Sequence, residues 1–244
     1  MFYKNLAPVY QYVFPVMEKG NFLFNHFKNN KVILDVGCSD GRVALALAEK
    51  DLNYEIIGID LSQDLIEVAK EVTKNNSHVS IRNMNMLDVG QDYSTNYFDG
   101  IYCIGNTIVH LNDEKEITEA LTSFNRVMKV DGRLIIQILN YDLILRDQIK
   151  ELPLIDNENV RFEREYNFID AQHMQFNASL TLKKDGEQRL TANTMLYPIT
   201  KDSLERCLQI SGFEDLIWYS DFKASNYDPE KLTLIVVATK KVSK

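Results

Sequence analysis

No apolar run in the 244 residues approaches the ~20 that a membrane-spanning helix needs. Met1-Phe2-Tyr3-Lys4-Asn5 lacks the apolar core of a signal peptide. Cysteine is scarce: Cys38, Cys103 and Cys207 have no paired spacing, so reduced thiols in a soluble, cytoplasmic protein are expected. Histidine is scarcer relative to need, since no two of the four histidines, nor any two cysteines, have metal-ligand spacing; no metal site is expected. Basic charge is also short. With 27 basic and 35 acidic residues the net charge is −8, and no lysine or arginine cluster suggests a nucleic-acid partner. Repeats and low-complexity segments are absent.

What is present is one informative stretch, Val32-Ile33-Leu34-Asp35-Val36-Gly37-Cys38-Ser39-Asp40-Gly41-Arg42. Its apolar run fits a parallel strand covered on both faces, and Val43–Ala48 reads as a buried helix. Gly37 and Gly41 permit positive φ and close backbone approach, while Ser39 or Asp40 is expected to cap the helix. A strand, a glycine turn and a helix start form a cradle for an anionic group. The two acids, however, select against a pyrophosphate: at ~4 Å and an effective dielectric of ~20, a unit charge pair is worth about 4 kcal/mol. The G-x-G-x-x-G spacing of dinucleotide sites is missing too, because position 39 is Ser. A nucleoside carrying an amino acid fits better.

A second strand, Tyr54–Asp60, precedes a helix over Ser62–Lys74. Asp60 stands nineteen residues past Gly41, where a ribose-binding acid belongs in a βαβ unit. Together L-D-V-G-C-S-D-G and I-G-I-D-L-S resemble the first two motifs of class I S-adenosylmethionine-dependent methyltransferases, with Ser39-Asp40 in place of the usual Gly-Thr. The resemblance implies a Rossmann-like α/β fold with a seven-stranded, mostly parallel sheet, order 3-2-1-4-5-7-6, whose last strand, Leu232–Thr239, is antiparallel. It also implies S-adenosylmethionine as cofactor, S-adenosylhomocysteine as product, and a small-molecule acceptor methylated at N or O. Asp35, Gly37, Cys38, Asp40, Gly41, Asp60 and Leu61 are the expected cofactor contacts, joined by Asn85, Met86 and Leu87 after the third strand (Val79–Arg82) and Ile104 after the fourth. Asp88 reads either as a second acid at the adenine or as a loop or helix cap.

Residues 1–30 are aromatic, with Pro8 and Pro15 dividing them into short helical pieces. They read as a segment packed over the core or as a helical cap on the cofactor cleft. Tyr3 to Tyr10 looks like the Y-x-x-x-A-x-x-Y-D opening motif of many small-molecule methyltransferases, with Gln11 in place of Asp; this implies a cofactor contact from Tyr10. Tyr97–Ile104 resembles the family's F-D-x-V fourth strand. A helix is expected over Asp113–Lys129 from apolar recurrence at helical spacing, then a turn at Val130-Asp131-Gly132 and a fifth strand, Arg133–Leu139. Residues 141–158 carry no clear pattern. From 160 to 198 the period becomes two, with Lys184-Asp185-Gly186-Glu187 as a hairpin turn: a three-stranded antiparallel insertion in one 1–244 domain. A helix at Thr200–Ser211 and a strand at Phe213–Ser220 follow.

Ile104-Gly105-Asn106-Thr107-Ile108-Val109-His110-Leu111 is similar to the G-N-S-x-x-H-L stretch of glycine N-methyltransferase-like enzymes. His110 reads as a general base or as a histidine that packs the next helix. Asn106 is expected to touch substrate or the methionine part of the cofactor. The apolar face Phe162, Tyr166, Phe168, Phe176 and Leu180 is expected to wall the acceptor pocket as a lid, with Tyr166 and His173 at the substrate, or to form a dimer contact; monomer and homodimer both remain open. No N-P-P-Y, D-P-P-Y or Pro-Cys nucleophile is present, which removes the base- and amide-methylating classes. Two other readings stand: a non-catalytic cofactor-binding module, and a nucleotide-dependent oxidoreductase that the glycine spacing disfavours.

Overall fold

A computed structural model describes residues 10–14, 16–28, 31–170, 172–183 and 188–241, with backbone only at Tyr10 and Gln11. The expected contact from the Tyr10 side chain, Tyr3 and the hairpin turn at 184–187 therefore lie outside the described residues. Two short helices come first, α1 (Tyr10–Val13) and α2 (Met17–Phe27). Alternating units follow: β1 (Val32–Val36), α3 (Arg42–Ala48), β2 (Glu55–Asp60), α4 (Gln63–Thr73), β3 (Val79–Asn83), α5 (Val89–Asp92), β4 (Phe98–Cys103), α6 (Glu114–Val127) and β5 (Met128–Leu139). Then come α7 (Tyr141–Arg146), β6 (Ile155–Asp156), β7 (Val160–Phe168), β8 (Met174–Leu182), β9 (Gln188–Leu196), α8 (Lys201–Ile210), β10 (Phe213–Tyr219) and β11 (Thr233–Lys240).

The main sheet runs β10-β11-β5-β4-β1-β2-β3, the expected 3-2-1-4-5-7-6 order, and β11 is antiparallel to both neighbours. Its central strands are apolar because both faces are covered. On one side Ile33, Tyr102, Ile135 and Val237 pack under α2 and α3 through Phe22, Leu23, Phe27, Ala44 and Leu47. On the other, Leu34, Ile101, Ile136 and Val236 pack with Ile117, Leu121 and Phe124 of α6 and with Leu204 and Leu208 of α8. Ser62, Asp113 and Thr200 each cap their helix by accepting a backbone N–H three residues on. Among the described residues no helix is long and apolar enough to cross a membrane, and no cluster of three His, Cys, Asp or Glu could hold a metal.

Four expectations need correction. Neither Ser39 nor Asp40 is the N-cap of α3: Gly41 occupies it at φ 75°, while Asp40, one residue further out, accepts the first helical N–H, from Arg42 N to Oδ1 at 3.2 Å. The turn at Val130-Asp131-Gly132 lies inside β5 as an irregularity, with Asp131 at φ 62° and the β4–β5 register shifting between Phe98 and Gly100. The patternless stretch after β5 contains α7, capped by Asn140, whose Oδ1 accepts from Leu143 N at 3.4 Å. The insertion has four strands, not three: Ile155-Asp156 pairs antiparallel with β7 as β6, too short to carry a period of its own.

Candidate active site

The site grows from the carboxyl end of β1. Gly37 and Cys38 both donate backbone N–H groups to Ile59 O, at 2.8 and 2.9 Å, which folds the glycine turn against β2. Asp60 completes the junction: Oδ2 accepts from Ser39 N at 3.0 Å and Oδ1 from Ser62 N at 2.8 Å. Burial raises the Asp60 pKa, and those backbone donors act against the rise. Each oxygen keeps unused acceptor capacity, suited to vicinal hydroxyls. Gly37 has φ 75°, and a Cβ there would stand 2.4 Å from Thr107 Cγ2, so the loop after β4 closes directly over this glycine.

A narrow cleft of about 30 Å³ lies beside the turn, lined by Asp35, Gly37, Cys38, Ser39, Asp40, Val43, Ile104 and Gly105, and closed by Phe14, Val16 and Lys19. Asp35 is 2 % exposed, and its Oδ2 has no hydrogen-bond partner. Burial pushes its pKa to about 8, offset in part by the Tyr102 hydroxyl across the β1–β4 pairing and reinforced by Asp60. The Tyr102 hydroxyl stands near enough to act on the carboxyl, but outside full hydrogen-bond geometry. Asp40 pairs with Arg42, Nε to Oδ2 at 2.9 Å, and its pKa is still raised by burial. Lys19 is the cation of the cleft: burial lowers its pKa while Asp35 and Asp40 raise it. Cys38 is a buried thiol whose pKa is driven well up by burial, hence no nucleophile at neutral pH.

Farther along the strand ends, Asn83 Nδ2 donates to the Asp60 and Leu61 carbonyls at 3.0 Å each, leaving the Leu61 side chain 71 % exposed above the junction. Asn85 Oδ1 accepts from Leu87 N at 3.1 Å and keeps a second lone pair for an amine. Met86 and Leu87 are half-buried, whereas Asp88 is exposed and makes no capping bond.

Beyond β4, the Asn106 backbone sits at φ 65° and its amide is bound on both sides: Oδ1 accepts from Leu139 N at 3.0 Å and Nδ2 donates to Tyr141 OH at 2.8 Å. Gln137 holds the same turn, accepting from Gly105 N at 2.7 Å. Asn106 thus splints β5 to the loop, with one amide hydrogen left over. His110 ends a single 3₁₀ turn, exposed at its surface, yet neighbouring atoms desolvate the ring and lower its pKa. Tyr166 is buried beside the Tyr141 hydroxyl. His173 does not join this group; it is a half-buried residue at the β7–β8 turn, its Nδ1 2.9 Å from the Asp170 carboxylate. Sequence reasoning missed Lys19, Val16, Val43 and Thr107. Lys19 sits in Met17-Glu18-Lys19-Gly20, where nothing in the spacing separates a cleft lysine from a surface one.

The residues fit S-adenosylmethionine. An orphaned buried carboxylate oxygen awaits a cationic donor, the turn excludes a Cβ, and a two-oxygen acid stands at the ribose position. A family model described as methyltransferase domain matches residues 33–132. The glycine/sarcosine N-methyltransferase of Aphanothece halophytica is 26% identical over 228 residues, covering 91% of this chain and 82% of that protein. The glycine/sarcosine/dimethylglycine N-methyltransferase of Actinopolyspora halophila is also 26% identical, over 91% of this chain but only 39% of its own greater length. In three dimensions, an S-adenosylmethionine-dependent methyltransferase from Clostridium acetobutylicum ATCC 824 superposes with a TM-score of 0.82 at 15% identity, covering 98% of this chain and 99% of that one. Strand order, glycine turn and these matches agree: residues 33–132 carry a methyltransferase domain, and the chain has the Rossmann-like fold of S-adenosylmethionine-dependent methyltransferases.

Proposed function

We propose that the enzyme transfers the methyl group to the nitrogen of a small-molecule amine. The observation that carries this reading is the extent of the match to an N-methyltransferase: at 91% of the chain it is too long to omit the whole insertion. S-adenosylmethionine, when bound, supplies a methyl group on a sulfonium and leaves as S-adenosylhomocysteine.

The chain's own residues position and desolvate the reactants. Asp60 would hold ribose hydroxyls, the Gly37–Gly41 backbone would take the amino-acid part, and Asp35 would accept from its ammonium group. Leu61, Met86 and Leu87 provide apolar contact for the base, and Asn85 an acceptor for its amine. An amine attacks through its lone pair and sheds a proton afterwards. His110 is suited to take that proton because its lowered pKa keeps the ring neutral at neutral pH. The same acidic cleft suits a binding role alone, so turnover must be measured.

The experiment is S-adenosylhomocysteine release with a panel of small primary and secondary amines and the matching alcohols. Product with amines alone is expected. Product with alcohols alone overturns the nitrogen assignment; tight S-adenosylhomocysteine binding without product from any acceptor favours a binding module.

A further inference from the structure

The glycine turn has the outline of an anion cradle, but its backbone donors are already engaged within the protein. Gly37 N and Cys38 N donate to Ile59 O, and Ser39 N donates to Asp60 Oδ2. Gly41 N donates to Cys38 O at 3.0 Å, and Arg42 N to Asp40 Oδ1 at 3.2 Å. An anionic group brought to the cleft must therefore be met by side chains.

Two side chains on the cleft wall have donors to offer. The Ser39 hydroxyl oxygen is buried and has no hydrogen-bond partner among the described residues. Lys19 reaches the same cleft from α2 and forms no ion pair among the described residues, although Asp35 and Asp40 are close enough to act on it. Its ammonium stands 5.8 Å from the centre of the Phe14 ring. The acids on the wall are unequal. Asp35 Oδ2 is unpartnered, whereas Asp40 is committed to the backbone N–H and the side chain of Arg42.

Ser39 is also strained. It holds the first central position of the tight turn closed by Gly41 N and Cys38 O, at φ 52°, and Asp40 beside it does not share the positive angle. A turn with positive φ at its first central residue alone favours glycine there. Gly37 and Gly41, both at φ 75°, follow that rule, and Ser39 departs from it. Serine brings backbone strain and an unpartnered buried hydroxyl, two penalties that glycine would avoid. Strain of this kind persists where a ligand makes use of it.

We infer that the Ser39 hydroxyl and the Lys19 ammonium together hold the carboxylate of the methyl donor's amino-acid end, while Asp35 takes its ammonium group. This rests on the cofactor reading above and supplies the donors that the backbone of the turn cannot; it is independent of the acceptor. A zwitterionic end suits the wall, which offers one unpartnered acid for the cation and two unpartnered donors for the anion. The hydroxyl–carboxylate bond is charge-assisted. Lys19 offsets the like charge of Asp35 and Asp40 that would otherwise repel a carboxylate.

The test uses three ligands that share the adenosine part and differ at the other end: S-adenosylhomocysteine, its decarboxylated aminopropyl analogue, and methylthioadenosine. Each is titrated calorimetrically into the wild type, Ser39→Ala, Ser39→Gly and Lys19→Met. Both serine variants should weaken S-adenosylhomocysteine by roughly tenfold to a hundredfold and leave the other two ligands alone. Lys19→Met should weaken S-adenosylhomocysteine in the same way without weakening the decarboxylated analogue. The cofactor-free thermal midpoint should not fall in Ser39→Ala and should rise in Ser39→Gly, because the strain and the unpartnered hydroxyl leave together. If the glycine variant does not fold, Ser39→Ala carries the test with the Cβ in place. A serine that only shapes the turn gives the opposite pair, a lowered midpoint and equal losses for all three ligands. That result overturns the proposal, as does unchanged S-adenosylhomocysteine affinity in Ser39→Ala. A wild type that binds none of the three overturns the cofactor reading and this proposal with it, whereas product from alcohols alone overturns only the nitrogen assignment.

Discussion

Ser39 N–H donates to Asp60 Oδ2 at 3.0 Å, so the glycine turn after β1 and the acid that ends β2 form one rigid unit. Asp60→Ala should therefore do more than remove a ligand contact. A charge-assisted hydrogen bond is worth about 1.5–3 kcal/mol, which corresponds to roughly tenfold to a hundredfold in S-adenosylhomocysteine affinity, and the freed turn should add to it. Asp60→Asn keeps one acceptor oxygen and should fall between. Calorimetry that finds Asp60→Ala binding like the wild type would remove Asp60 from the ribose site.

Gly37→Ala faces two obstacles, a φ of 75° and a Cβ 2.4 Å from Thr107 Cγ2. The left-handed backbone costs a non-glycine residue about 1–2 kcal/mol, and the clash adds to it. Combining it with Thr107→Ala should recover part of the loss, since Cγ2 and Oγ1 depart while the strain in φ stays. Thermal midpoints of the single and double variants check this; full recovery would show that the backbone angle is not a constraint.

Asp35 makes cofactor affinity depend on pH. Its pKa in the folded, cofactor-free protein lies near 8 against an ordinary value of 3.8, so the folded state holds a proton that the unfolded chain releases. Its contribution to stability is full below about pH 4 and is lost as pH rises through 8. A cationic group at Oδ2 reverses the preference, so affinity for S-adenosylmethionine should climb between pH 6 and about 8 with release of a proton. Asp35→Asn should flatten both curves, apart from a residual slope from Asp40 and Asp60, whose pKa values are raised in the same direction. Calorimetry in buffers of different ionisation enthalpy counts the proton directly; no proton release would refute this role.

Phe14 and Phe162 should couple the cap to the insertion. Edge-to-face ring pairs contribute about 0.5–1.5 kcal/mol beyond buried area. A double-mutant cycle with leucine at each position, followed by denaturation, should return a coupling within that range. Additive single effects would mean the two segments merely touch.

How much of this was legible in the sequence depended on whether a pattern was local. The strand–turn–acid unit and the sheet order followed from consecutive residues of β1 and β2 and from the resemblance they carry. The period of two exposed β7 to β9 and their apolar face. Asp40 looked like a cap because caps are read from residue type. In space, Gly41 takes the cap position, and Asp40 holds Arg42 by both its backbone N–H and its side chain. Lys19 was hidden because its partners, Asp35 and Asp40, come from another element. The insertion was expected to wall the acceptor pocket as a lid or to form a dimer contact; alternation did not show that Tyr166, Met174 and Leu196 are buried in the same core as α6 and α8. Deleting it would open that core, so point variants on its apolar face are the sound test of its role.

The position of β11 has a consequence for how the chain reaches its fold. This strand lies between β10 and β5, and Leu139 pairs with Thr233 across the whole insertion, α8 and β10. Until β11 arrives, Ile135, Ile136 and Ile138 present an open, apolar strand edge, and β10 has no sheet to join. On the ribosome, the half from β1 to β4 can assemble while this edge waits, and such an edge is a template for pairing with another chain. Closure of the sheet therefore waits on the docking of β11, which follows synthesis of the whole insertion.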